Sequence, residues 1–108
     1  MTKWELLLKF FKTKDYKKCE ELLHEDFLYL RETTLVNKEE FIEYIKKRFD
    51  QGLVIEDLKL ICEDKDVLAW RDTVSEEKGK IFETTNIQIW KDDKIWRDIV
   101  SVVNVSEA

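Results

Sequence analysis

The sequence predicts an α+β domain in which three helical segments precede and cover an antiparallel meander of long strands. Three observations carry that prediction. Apolar residues recur at helical spacing, with one short interruption, as far as Phe49. From Leu53 onward the period changes from 3.6 to 2 and stays there. Near the C-terminus, two runs rich in β-branched and aromatic residues flank Lys91-Asp92-Asp93-Lys94, which is the pattern of strand, tight polar turn and strand. Helices and antiparallel strands segregated along a chain define the α+β class, with the helices on one face of the sheet.

The elements follow in order. Thr2 and Glu5 have the spacing of a capping box and start a first helix. Its apolar face holds Trp4, Leu7, Leu8 and Phe11, broadened by Leu6 and Phe10, an arc wide enough to predict cover on most sides. Thr13-Lys14-Asp15 breaks the pattern. A second helix follows with Tyr16, Cys19, Leu22 and Leu23 inward, ending near His24 at a C-terminus whose dipole favours a protonated imidazole. Residues 27–31 form a short strand. Asn37 and Glu40 make a second capping box, Phe41, Ile42, Ile45 and Phe49 an apolar stripe, and Gly52 a stop signal, so a third helix lies between. Strands are expected near 55–62, 67–74, 81–90 and 95–105, joined by short polar connections at 63–66, 75–80 and 91–94.

At 108 residues the chain, 1–108, is read as one domain, long enough to bury a core. Hydrophobic residues make up 44% and charged residues 40%, a balance that suits a compact fold rather than a disordered chain. The net charge is −5 and lysines alternate with acids, so the basic stripe of a nucleic-acid groove is missing and no nucleic-acid partner is expected. The apolar N-terminus is short and interrupted by Lys3, Glu5 and Lys9, which argues against a signal peptide or a membrane span. A cytoplasmic location follows as the expectation, with Cys19 and Cys62 reduced. One histidine and two distant cysteines do not make a metal site, there is no phosphate-binding glycine loop, and no cofactor is expected.

Parity along the strands assigns the two faces of the sheet. Hydrophobic matching pairs Trp90 with Trp96, Gln88 with Asp98, Asn86 with Val100, and Leu60 with Trp70. One face then gathers Leu58, Leu60, Cys62, Leu68, Trp70, Asp72, Phe82, Thr84, Asn86, Gln88, Trp90, Trp96, Asp98, Val100 and Val102. It is aromatic, yet it holds two carboxylates, two amides and a hydroxyl. A solid core would exclude them, because each buried unpaired polar group costs about 1–3 kcal/mol. An apolar cavity with a few convergent polar groups is how ligand sites are built. Asp98 and Asp72 are the candidate catalytic residues: a carboxyl walled by Trp70, Trp90 or Trp96 has its pKa raised by desolvation and can exchange protons near neutral pH. Trp70, Asn86, Gln88, Trp90 and Trp96 are the candidate ligand contacts. The plainer alternatives are a solvated Asp72 near a strand end and an Asp98 paired with a helix lysine. The opposite face, with Ile61, Ile81, Ile87, Ile89, Ile99 and Val103 among charges and hydroxyls, suits a homodimer through the sheet.

The order of elements, together with Glu25-Asp26-Phe27 entering the first strand, Lys38-Glu39-Glu40-Phe41 opening the third helix and Trp90 to Arg97 at the last hairpin, resembles the nuclear transport factor 2-like superfamily, nearest its SnoaL-like group of small bacterial proteins. The resemblance spans nearly the whole chain. It implies a strongly curved antiparallel sheet with three helices packed on its concave face around a cone-shaped cavity. Members include ketosteroid isomerases, polyketide cyclases, limonene epoxide hydrolases, dehydratases and proteins that only bind ligands or dimerise. Their enzymes place a carboxylate in the cavity, as when an Asp base works beside a second, protonated Asp. An oxyanion tyrosine on the first helix is missing here, and Tyr16 and Tyr29 are loose substitutes, so Tyr29 joins the candidate contacts. Arg97-Asp98 with Asp72 suggests an Asp-Arg-Asp grouping, although Arg97 and Asp98 alternate across a regular strand. Three readings follow: a dimer with a pocket for a small, mainly apolar molecule; a cofactor-free lyase, isomerase or hydrolase using a cavity Asp as general base; or an interaction or immunity-type module that binds a protein partner.

Overall fold

A computed structural model describes residues 1–76 and 79–106. The elements run α1 (Lys3–Thr13), α2 (Tyr16–Leu22), β1 (Leu23–Arg31), β2 (Thr34–Asn37), α3 (Lys38–Asp50), β3 (Val54–Glu63), β4 (Val67–Ser75), β5 (Ile81–Lys91) and β6 (Lys94–Asn104). The expected connection at 75–80 lies partly outside the described residues, at Glu77 and Lys78. The six strands form one open sheet in the order β2-β1-β6-β5-β4-β3. The architecture is α+β, with the three helices on the concave face.

Local sequence chemistry sets the element ends. Both capping boxes form: Thr2 with Glu5 starts α1, and Asn37 with Glu40 starts α3. Gly52 follows α3 with φ 92°, a left-handed conformation that glycine adopts without strain. The last hairpin turns on Asp92 and Asp93, both with positive φ, between the paired Lys91 and Lys94. That is the backbone of a two-residue turn whose twist matches the flanking strands.

Three features depart from the sequence-based expectations. β1 begins at Leu23, so Leu23 and His24 belong to a strand, not to a helix end. Leu23 is 1% exposed and pairs with Ile95, a burial that outweighs its helical spacing. Thr34–Asn37 is an additional strand that folds back on β1 through Glu32, a positive-φ residue that glycine-based turn rules do not flag. β1 lies parallel to β6, so one ladder of the otherwise antiparallel sheet is parallel.

The core joins α2 and α3 to the middle of the sheet through Cys19, Leu23, Phe27, Tyr29, Phe41, Trp90, Ile95 and Val100. Phe41 of α3 stacks at 5.0 Å from Phe27 and 4.9 Å from Tyr29. α1 behaves differently. None of its residues is buried, so it is not covered on most sides as its wide apolar arc predicts. Trp4 rests on Trp70 at 6.3 Å, Phe10 on Phe49 at 6.4 Å, and Lys3 is tied to Glu63 and Asp64. α1 is a cover with one side on the concave face and the other in solvent. Among the described residues, no helix is long and apolar enough to cross a membrane.

Candidate functional site

Three cross-strand rows build the polar part of the concave face. Tyr29, Asp98, Gln88 and Leu68 lie in register across β1, β6, β5 and β4. Arg31, Val100, Asn86 and Trp70 form the next row, and Val102, Thr84 and Asp72 the third. The pairings of Gln88 with Asp98, Asn86 with Val100, and Leu60 with Trp70 are those that hydrophobic matching predicts. Over these rows α1 and α3 place Leu6, Phe10, Phe41 and Phe49, which line a partly open cavity of about 130 Å³ with a mostly apolar wall.

The two carboxylates differ in their surroundings. Asp72 is 3% exposed and accepts from Trp70 Nε1 at 3.0 Å, from Thr84 Oγ1 and from Asn86 Nδ2 at 3.4 Å. Burial pushes its pKa up, while the hydrogen bonds from Thr84 and Trp70 and the charge of Arg31 pull it back. Asp98 is 6% exposed, and its Oδ1 has no hydrogen-bond partner among the described residues. Burial raises its pKa to about 7; the Gln88 side chain opposes the rise and the charge of Asp72 adds to it. Neither carboxylate forms an ion pair among the described residues. Asp72 is therefore not solvated, and Asp98 is not tied to a helix lysine. Their shared neighbourhood also affects Tyr29 and Cys19: burial first and Asp98 second push the Tyr29 phenol up and the Cys19 thiol to about 12.

Asp98, Asp72, Tyr29, Trp70, Asn86, Gln88 and Trp90 all line the cavity. Trp96 does not, which corrects its expected place. A bulge after Ile89 makes Trp90 the partner of Ile95, so Ile95 is buried and points inward while Trp96 is the extra residue. Trp96 instead stacks against Arg97, whose guanidinium lies 3.7 Å from its ring centroid. Arg97 donates to the carbonyl of Asp26 and does not line the cavity, so it cannot supply an Asp-Arg-Asp grouping. Two further bulges in β3, one after Leu60, move Cys62 opposite Ala69 and leave it exposed, off the concave face expected for it.

Arg31, Tyr44 and Arg48 also line the cavity, although no sequence motif marks them. Arg31 Nη1 donates to Tyr44 Oη at 2.6 Å, Arg48 Nη1 donates to the same oxygen at 2.8 Å, and Arg48 Nη2 reaches Glu76 at 3.1 Å. The signal was there in parity: Phe27, Tyr29 and Arg31 alternate on one face of β1, and Phe41, Tyr44 and Arg48 continue one stripe of α3. Among the described residues, no three His, Cys, Asp or Glu side chains come together to hold a metal.

This fold is shared with solved structures. An NTF2-like protein of unknown function from Cytophaga hutchinsonii is 15% identical over 95% of this chain and 91% of its own, with a TM-score of 0.73. A protein provisionally described as a polyketide cyclase, from Sinorhizobium meliloti, is 18% identical over 90% and 94%, with a TM-score of 0.73. One provisionally described as a ketosteroid isomerase, from Kribbella flavida, is 13% identical over 92% and 76%, with a TM-score of 0.76. No family model matches the sequence, and no curated protein matches it significantly. The chain has the nuclear transport factor 2-like fold; at these identities the likeness is one of fold alone.

Proposed function

We propose that the cavity binds a small, mainly apolar molecule and that Asp98 exchanges a proton with it, making the chain a cofactor-free acid–base catalyst of the isomerase, lyase or hydrolase kind. The observation that carries this is Asp98 itself: a buried carboxyl on the cavity wall, with one oxygen lacking a protein donor and no cation paired to it. A carboxylate in that position destabilises the fold, and active sites are where such costs are retained. Near pH 7 both of its protonation states are populated, the condition for a general base or acid. Asp72, held by three neutral donors, keeps a fixed place and raises its neighbour. The cavity, about 130 Å³, is close to the roughly 150 Å³ that holds one benzene ring and below the roughly 300 Å³ where drug-sized sites begin. The substrate is then of one-ring or short-chain size.

The test is Asp98→Asn. It should leave binding of small aromatic and aliphatic compounds, followed by tryptophan fluorescence, within a few fold. It should lower turnover in a screen of proton-abstraction and epoxide-opening substrates by about 10²–10⁴. Unchanged turnover of any substrate found would remove the catalytic part of the proposal.

The homodimer belongs to the same reading. On the convex face Leu35, Leu30, Ile99, Ile87, Ala69 and Cys62 line up in register across all six strands. Leu30, Ile99 and Ile87 are each about two-fifths exposed, as a partner surface would leave them in the separate chain.

A further inference from the structure

We infer that the molecule held in the cavity is an organic carboxylate, its apolar part between the helices and the sheet and its carboxylate bound by the guanidinium of Arg31 together with Tyr44 and Arg48. This rests on the pocket reading above and names the ligand's chemical class.

Arg31 reaches the cavity from the inner face of β1 and is half-buried, yet it forms no ion pair among the described residues. Of its five N–H donors, one is spent on the neutral oxygen of Tyr44. Arg48 donates to that same oxygen, so two guanidinium groups converge on one uncharged atom. Glu76 compensates only Arg48. Asp72 feels the charge of Arg31 but forms no ion pair with it among the described residues, its oxygens accepting from Trp70, Thr84 and Asn86. The Arg31 guanidinium thus has no anion in contact with it among the described residues. Bringing like charges together is unfavourable unless an anion joins them. The Tyr44 oxygen already accepts two hydrogen bonds, so its own O–H is free to donate outward, and no acceptor for it is found among the described residues. A planar fork of donors beside a phenol O–H matches the two oxygens of a carboxylate. A bare inorganic anion would satisfy the charge but leave the aromatic wall unused. The raised pKa values of Asp72 and Asp98 favour their neutral forms, so they oppose such a ligand less than two ordinary aspartates would.

The test uses matched pairs at pH 7: benzoate with benzamide, phenylacetate with phenylacetamide, and hexanoate with hexanamide. Binding to the full chain is measured by calorimetry and by fluorescence of Trp70 and Trp90. The carboxylate of at least one pair should bind about tenfold tighter than its amide. Arg31→Gln should abolish that preference, lowering carboxylate affinity far more than amide affinity, and Arg31→Lys should restore part of it. Equal or weaker binding of the carboxylates by the unmodified protein overturns the inference and leaves the pocket standing. A preference that survives Arg31→Gln overturns it as well. Binding of no member of any pair removes the pocket and this inference with it. The comparison within the unmodified protein decides the matter even if a variant fails to fold.

Discussion

Asp98 makes the stability of this protein depend on pH, and the sign is fixed. Its pKa rises from an ordinary 3.8 to about 7 on folding. Below 3.8 it is protonated in both states and has no effect. Between the two values the unfolded chain loses a proton that the folded chain keeps, so stability falls as pH rises, and above about 7 the full penalty is present. Its size is on the order of 4 kcal/mol. Asp72 is raised too and acts in the same direction. Thermal melts should therefore show a midpoint that drops from pH 5 to pH 8. Asp98→Asn should flatten that slope and be the more stable protein at pH 8; a parallel slope in the variant would mean that Asp98 is not the group responsible. Leu23, 1% exposed, tests the apolar core: Leu23→Ala should cost about 2–5 kcal/mol in urea unfolding. At this scale the sequence was informative. A carboxylate at inward parity between tryptophans is an anomaly visible in the letters alone, and Asp98 and Asp72 both lie on the cavity wall. Arg31 was missed because an arginine at inward parity near a strand end looks like an ordinary snorkelling side chain until Tyr44 and Arg48 are brought beside it.

Among the elements, α1 combines a strong local start with weak tertiary support. Its capping box is complete, yet no residue in it is buried. Helices are held chiefly by packing, so α1 should open more readily than the strands around it. Hydrogen exchange should show α1 amides protected far less than those of β5 and β6, and a bound ligand should slow exchange in α1 most. Thr2→Ala should weaken the helix by about 1 kcal/mol and speed its exchange without changing that of β5. Capping boxes are legible because both partners lie within one turn. Bulges are not, because a single extra residue leaves the alternation on either side of it intact. Residues 94–97 could be read with either Ile95 or Trp96 inward, and the choice rests on how β5 and β6 bend near their turn. The same limit explains Cys62, whose parity was right as far as Leu60 and shifted by the bulge beyond it.

For the whole molecule, the apolar row across the convex face leads to a clear expectation about assembly. Sedimentation at micromolar concentration should give a dimer, and Ile87→Glu should give a folded monomer with the cavity chemistry intact. A wild-type monomer at that concentration would instead mark the face as plain surface. The fold class was legible because the change of period at Leu53 divides the chain and the last hairpin carries its own register. The parallel pairing of β1 with β6 was not, since no local pattern says which edge of a meander an early strand will join.

That pairing has a consequence for how the chain is made. β6 occupies the middle of the sheet, between β5 and β1, although it comes last of the six strands in chain order. Until it emerges, β1 has only the short β2 to pair with, and nothing joins it to the sheet of β3, β4 and β5. The cavity cannot close before every intervening strand has been made. Contacts between such distant segments slow folding, and the exposed intermediates are prone to associate. Nascent chains stalled before residue 94 should remain protease-sensitive throughout. Chains extended past residue 104 should gain protection in one step, with the N-terminal helices and the C-terminal hairpin becoming resistant together.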